Sequence, residues 1–391
     1  MSDRDIVISG VGCISPLGVS LEEFGASLRA GRSGVGEIAS FDASAYPCRH
    51  GAEVLELELS EFIESSKTYI DRTSAYVLAA CSAALEEAHW RGDESVGLVL
   101  GTAWGCMDSL ELFAQKLIEG KPKFVPPLPF THSYANAPNS LASIEFKLRG
   151  FNACVTCGHV SAAEAVAYAC RRIALGKDRR LLAGGGEALS ESVFHAACLG
   201  GGLLREGGPR PYHPRSSGMV LGEGAAVFAL EEADVAREWR DPVLARICGY
   251  ASCRGESVTD GLARSMRAAL DHAKITPGEV GAVFGAANGR PDFDAAELEA
   301  IRAVFGGDGP VVTSVKALVG EGMGLGGATS LAAALCSLHD RFVPPAYGEE
   351  PPRLEGVRVV AREPLELRVR TALVNAADSS GACVSLVVAS V

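Results

Sequence analysis

No stretch of this 391-residue sequence stays apolar for the ~18–20 residues that a membrane-spanning helix needs, so no such span is expected. Positive charge is in deficit. Thirty-six Lys and Arg face 48 Asp and Glu, a net charge of −12, which argues against nucleic acid or an anionic membrane surface as the main partner. An acidic protein partner would need a local basic patch here. Twelve cysteines are present, but only one CxxC, Cys154 and Cys157, and it has neither a second pair nor a histidine cluster beside it. Zinc is therefore not expected, and a structural role is read for that pair. The start, Met1-Ser2-Asp3-Arg4-Asp5, is charged and runs directly into Ile6-Val7-Ile8, which is not the pattern of a signal peptide. A cytoplasmic protein with reduced thiols is the expectation.

Hydrophobic residues make up 48% and charged residues 21%, the balance of a globular chain with a large core. Strand-like and helix-like segments alternate throughout, which indicates an α/β fold. The pattern predicts helices over 74–90, 160–175, 261–273, 295–305 and 322–338. Strands are expected at 96–100, 280–284, 371–374 and 383–388, with a glycine turn at Gly184-Gly185-Gly186. The charged segment 231–241 is the best connector between two halves, here taken as residues 1–240 and 241–391. The two halves show no evident similarity in sequence.

A series of short motifs then runs in order along nearly the whole chain. It begins with Ile8-Ser9-Gly10-Val11-Gly12, Ser15-Pro16-Leu17-Gly18 and Gly31-Arg32-Ser33-Gly34, followed by Phe41-Asp42-Ala43, Asp71-Arg72 and Leu148-Arg149-Gly150. Ala183-Gly184-Gly185-Gly186-Glu187, Arg210-Pro211-Tyr212, Gly222-Glu223-Gly224-Ala225, Asp294-Ala295-Ala296-Glu297 and Ser314-Val315-Lys316 continue it. Each is weak alone. Together they resemble the β-ketoacyl-acyl-carrier-protein synthases, the condensing enzymes of fatty acid and polyketide synthesis. The resemblance implies a thiolase-like fold, two duplicated α/β halves forming a five-layered αβαβα core, in an obligate dimer. It also implies a catalytic cysteine at a strand-to-helix elbow, with backbone amides as an oxyanion hole and two histidines from the second half. No metal and no cofactor are implied.

At the three catalytic positions this chain departs from the family. The nucleophile motif runs GPN-x5-A-C-A-S/T; seven residues on from Asn152 stands His159, and counting back from Ala183 gives the same position. Cys157 lies two residues earlier, where strand alternation would point it the same way but more deeply. Against AHGTGT this chain has Ala287-Asn288-Gly289-Arg290-Pro291, with Asn288 in the histidine's place. Against K-x-x-x-GH, Lys316 and Gly320 remain and Glu321 follows. Beyond His213 only His272 and His339 occur, both on amphipathic helices that suit packing or solvent. The family's phenylalanine-bearing gate, NSFGFGGxN, reads Asn375-Ala376-Ala377-Asp378-Ser379-Ser380-Gly381 here, so Ala377 and Ser379 stand in a gate without aromatics.

Ordinary Claisen condensation is accordingly not expected. Acyl-imidazoles hydrolyse readily, asparagine has no proton to exchange near neutrality, and an ionised Glu321 would repel a malonyl carboxylate. The resemblance points to a chain-length-factor type of subunit that pairs with an active ketosynthase, serves an acyl carrier protein and shapes the acyl tunnel. A homodimer is the other assembly considered. Family members of that type usually carry glutamine at the position of His159. Pro129, Phe130 and Tyr134 match the stretch that crosses the dimer interface, and Cys157 borders the same tunnel. Lys316 and Glu297 match scaffold positions, or either belongs to a routine buried ion pair. The alternative is a rewired enzyme in which His159 and Glu321 form an acid–base pair for decarboxylation, hydrolysis, dehydration or cyclisation of a polyketide intermediate.

Overall fold

The computed structural model describes residues 5–120, 122–307, 309–349 and 356–391, so Met1 to Arg4 of the charged start lie outside the described residues. Among the described residues eleven strands form one continuous sheet: two sets of five, and a short strand, Arg358–Val359, that pairs parallel at the outer edge of the second set. The first half supplies β1 (Ile6–Ile14), β2 (Val96–Gly101), β3 (Asn152–Val155), β4 (Arg180–Glu187) and β5 (Gly224–Glu232). The second supplies β6 (Ala245–Arg254), β7 (Ala282–Phe284), β8 (Val311–Thr313), β9 (Thr371–Ala377) and β10 (Ala382–Ala389). Their spatial order is β3-β2-β4-β5-β1 in one half and β8-β7-β9-β10-β6 in the other. Numbered within each half, both read third, second, fourth, fifth, first. In both halves the second strand pairs parallel with the third and fourth, and the remaining pairings within each set of five are antiparallel. The duplication invisible in the sequence is explicit in the topology.

Antiparallel pairing of Ile6–Ile8 with Ala245–Ile247 joins the two sheets. Period-two alternation then sorts the side chains into layers. Leu98 and Leu100 of β2 face the helix α1 (Arg72–Glu87), whereas Val99 faces inward. In the other half Val283 and Val312 face the helices α3 (Val258–Ala273) and α4 (Pro291–Phe305), whereas Phe284 and Val311 face inward. Between the sheets lie α2 (Ser161–Ala174) and α5 (Gly326–Asp340). Helix α5 is buried on every face as far as Leu338, so its Ala-rich sequence lacks a polar stripe. The layers are α1, sheet, α2 with α5, sheet, α3 with α4. Among the described residues no helix is long and apolar enough to cross a membrane.

Two local expectations need correction. Gly184-Gly185-Gly186 belongs to β4 and is not a turn. A Cβ on Gly185 would lie 2.1 Å from the Gly101 carbonyl oxygen and 2.8 Å from the Ala162 side chain, so tertiary crowding, not a bend, selects glycine. The helix expected from residue 322 begins at Gly326, after a 3₁₀ turn at Met323–Leu325. Segment 231–241 runs between β5 and β6; its first two residues complete β5, and Ala233–Trp239 is a short helix.

Candidate functional site

Strand β3 ends at Val155, and the chain turns sharply through Thr156, Cys157 and Gly158 into a 3₁₀ turn at Gly158–Val160 that leads into α2. Gly158 has φ +68°, in the left-handed region that favours glycine. Ser161 holds the turn from both sides: its hydroxyl accepts from Cys157 N (2.9 Å) and donates to the Gly158 carbonyl (2.6 Å). His159 is half-buried on this elbow. Its backbone N–H donates to Asp378 Oδ2 at 3.2 Å.

Asp378 lies in the tight turn between β9 and β10, just past Ala377. Its backbone N–H donates to Ala382 O (2.8 Å), and its Oδ1 accepts from Ser380 N (2.8 Å). Partial burial would raise its pKa, but the amides of Ser380 and His159 outweigh that, so the carboxyl is held below the usual range. Ala377 is buried and Ser379 exposed, so no aromatic side chain covers the elbow from this turn. Beside it opens a cleft of ≈ 490 Å³ lined in part by Cys157, Gly158, Cys253, Arg254 and Asp378.

The positions from the second half meet each other directly. Glu321 is buried and follows Gly320, whose φ is +74°. Its Oε2 accepts from Lys316 Nζ (2.7 Å) and Asn288 Nδ2 (2.9 Å), and its Oε1 accepts from Met323 N (2.8 Å). Burial works against the charge, but Lys316 above all, with His159 and these donors, pulls the pKa below the carboxylate norm. Glu321 is thus a buried, ionised, fully bonded carboxylate. Asn288 is fixed from behind: its N–H donates to Asp294 Oδ1 (2.9 Å), and its Oδ1 accepts from Arg290 N (3.2 Å).

Cys157 is exposed rather than deep. Alternation stops being a guide once β3 has ended and the glycine turn has begun. Burial and the Glu164 charge raise its thiol pKa, the wrong direction for a substitute nucleophile. Lys316 forms a buried ion pair with Glu321 and none with Glu297. Lys316 bonds Glu321 and the Ala286 carbonyl (2.8 Å), whereas Glu297 accepts from Tyr212 Oη (2.8 Å), Ala286 N (2.9 Å), Ala287 N (2.7 Å) and Asn375 Nδ2 (3.0 Å). The His159–Glu321 pair of the rewired reading is not formed as a hydrogen bond; His159 acts on Glu321 only as a nearby charge. His272 meets Tyr250 edge to face with ring centroids 4.5 Å apart, and exposed His339 meets Asp340 (2.7 Å). Among the described residues no three His, Cys, Asp or Glu side chains are grouped as a metal would need.

Strand β3 is the end of the sheet, with β2 as its neighbour on one side only. The segment 127–145 passes this edge, tied to it where Cys154 Sγ donates to the Ala135 carbonyl (3.3 Å), and it carries exposed apolar side chains. Phe130 is 42% exposed and stacks on Phe113 (5.0 Å) and Tyr134 (5.4 Å), while Pro129 of the same turn is buried. Ile144, 73% exposed, lies on the helix Ala137–Glu145, which Asn139 Nδ2 ties to the Ala153 carbonyl of β3 (2.8 Å).

Sequence reasoning passed over two residues. Asp378 was legible only as a carboxylate in a loop expected to carry phenylalanine, and Glu187 only as the end of a glycine motif. Glu187 is wholly buried and accepts from Thr102 Oγ1 (2.8 Å), Ala103 N (2.7 Å) and Trp104 N (3.1 Å). Burial nevertheless pushes its pKa from 4.5 up to about 7. The folded state therefore keeps a proton that the unfolded chain releases. This contribution is fully present below the ordinary carboxylate pKa and is lost as pH rises through about 7. Asp294 and Glu231, also raised to about 7, act with the same sign. Urea denaturation at a series of pH values should show Glu187→Gln losing part of this decline between about pH 5 and pH 8, by roughly 3 kcal/mol at most.

Comparison with known proteins agrees with this fold. Residues 3–236 match the model of the β-ketoacyl synthase N-terminal domain and residues 245–349 that of its C-terminal domain. The chain is 33% identical to the tetracenomycin polyketide synthase ketoacyl synthase beta subunit of Streptomyces glaucescens, over 98% of each chain. It is 28% identical to 3-oxoacyl-[acyl-carrier-protein] synthase 2 of Coxiella burnetii, over the whole of both. Among solved structures, the ishigamide ketosynthase/chain length factor superposes with a TM-score of 0.95 at 26% identity, over the whole of both chains.

Proposed function

The chain belongs to the β-ketoacyl synthase family, and within it we propose that the protein is a non-condensing partner subunit. It pairs with a cysteine-bearing ketosynthase, receives no acyl group itself, and shapes the channel in which a carrier-bound polyketide or fatty acyl chain grows. In this reading residues 1–240 carry the elbow and the interface, and residues 241–391 carry the two positions where the family has histidine.

One observation carries the proposal: Glu321, in the place of the second histidine, is ionised and held by Lys316, Asn288 and Met323 N. Decarboxylative condensation develops negative charge at this point, and a fixed buried carboxylate opposes it. Asn288 spends its amide on that same carboxylate, and it has no proton to transfer. The rewired enzyme is not favoured, because the carboxylate oxygens that would accept a proton are already committed to Lys316, Asn288 and Met323 N. Support for pairing comes from the free edge of β3 with its apolar surround, a surface fitted to continue the sheet into another chain. The beta-subunit relative and the ketosynthase/chain length factor structure point the same way.

The test is purification of the tagged protein from its native gene neighbourhood, followed by native mass spectrometry. The expected species is a one-to-one complex with a synthase that retains Cys, His and His. A stable homodimer without such a partner would remove the reading.

A further inference from the structure

The elbow is closed by more than the loss of a thiol. In an acyl-transfer site the amide at the elbow is the donor that meets the carbonyl oxygen as it gains charge. Here that N–H, on His159, already has an anionic acceptor in Asp378 Oδ2 at 3.2 Å. The carboxylate is not a casual neighbour. Ser380 N fixes its other oxygen at 2.8 Å, and the hairpin bonds from Asp378 N to Ala382 O and from Gly381 N to Asp378 O fix its backbone. Its fit to the turn is close, since a Cβ on Gly158 would lie 2.6 Å from Oδ2. A negative group at the start of α2 is also favoured by the helix dipole, and the depressed pKa follows from the same contacts.

We propose that Asp378 is a positioning residue whose carboxylate stands in for the reaction's oxyanion. It holds the elbow amide and keeps acyl carbonyls out, whichever side chain occupies position 159. The proposal takes from the preceding reading only the placement of His159 at the nucleophile position; it does not depend on which partner the subunit has. Its consequence is specific: restoring a thiol is not enough. In the H159C protein a thioester would have to place its carbonyl oxygen where Asp378 Oδ2 already sits. The introduced thiolate would also form beside a fixed negative charge, which raises its pKa.

The experiment compares H159C, H159C/D378N and H159C/D378G, each purified with whatever subunit accompanies the wild-type chain, using the N-acetylcysteamine thioester of acetate as probe. The thiolate would attack the thioester carbonyl, the C–S bond to N-acetylcysteamine would break, and the thiol proton would leave with the released thiol. Mass spectrometry reads the acetyl group on this chain alone, so a partner's cysteine does not enter the result. Acylation of H159C is expected to be slow, and that of H159C/D378G about a hundredfold faster, the usual worth of one oxyanion donor. H159C/D378N should remain slow, because the asparagine carbonyl still occupies the amide.

Iodoacetamide alkylation, which needs no oxyanion hole, gives a second readout. Its pH profile should move to lower pH in both double variants, because both lose the charge. Equal acylation rates in all three proteins, with unchanged alkylation profiles, would overturn the proposal. A homodimer in the purification experiment would remove the partner reading and leave this result standing.

Discussion

Lys316→Met should cost about 3–5 kcal/mol in urea denaturation, because it leaves the Glu321 carboxylate buried without its counter-ion. The pair is almost fully sequestered, at 6% and 1% side-chain exposure, so solvent offers little screening. The loss is larger than the pair's net contribution, since most of it is the penalty for stranding the remaining charge. Lys316→Met with Glu321→Gln should therefore recover more than half of it, as the glutamine oxygen still accepts from Asn288 or Met323 N and no charge is left. The pH dependence has a definite sign. The carboxyl's depressed pKa means that its stabilisation in the wild-type protein is present above the ordinary carboxylate range and is lost as pH falls through the folded value. Without Lys316 the same carboxyl protonates readily, so the gap between wild type and variant should narrow towards acid pH. A gap independent of pH, or a double variant no better than the single, would place the energy elsewhere.

Phe130→Asp and Ile144→Asp should each weaken assembly with the partner by about 2–4 kcal/mol, roughly 30- to 1000-fold in Kd. Both side chains are large, apolar and exposed on the segment that passes the free edge of β3. Burying a new carboxylate there would cost desolvation with no positive partner supplied. In the separate chain Ile144→Asp sits in solvent, so its thermal unfolding should change little, whereas Phe130→Asp also gives up the ring contacts to Phe113 and Tyr134. Analytical ultracentrifugation or native mass spectrometry reads the complex, and a thermal melt reads the fold. A variant that keeps full affinity would move the interface to another face of the molecule.

The fold was readable because its motifs mark backbone requirements rather than single contacts. Glycine at 184–186 and the Glu297 and Lys316 positions stand in the family's order, whereas Val96–Gly101 is apolar throughout and buried on both faces, so which of its side chains face inward was not legible. The internal repeat was not readable. Ala, Val, Leu and Ile exchange freely at similar volumes in a packed core, so two halves can share a strand order without sharing residues. The three glycines of β4 misled for a related reason: a local turn signal and a demand for close packing look the same in one dimension. At the site, the identities of His159, Asn288 and Glu321 were legible, but their bonding was not. Which acceptor Asn288 chooses, and that Lys316 turns to Glu321 instead of Glu297, depends on the approach of the loops after β7 and β8. Asp378 lies 219 residues from His159 in sequence, and only the packing of the β9–β10 turn against the elbow brings the two together.

The most direct test of the account is the condensation rate of the reconstituted complex containing His159→Ala. A subunit that shapes the channel without accepting the acyl group predicts turnover within about twofold of wild type, since no bond to the substrate is made or broken at the elbow. A loss of a hundredfold or more in kcat, with the complex intact, would put His159 in the chemistry and contradict the account.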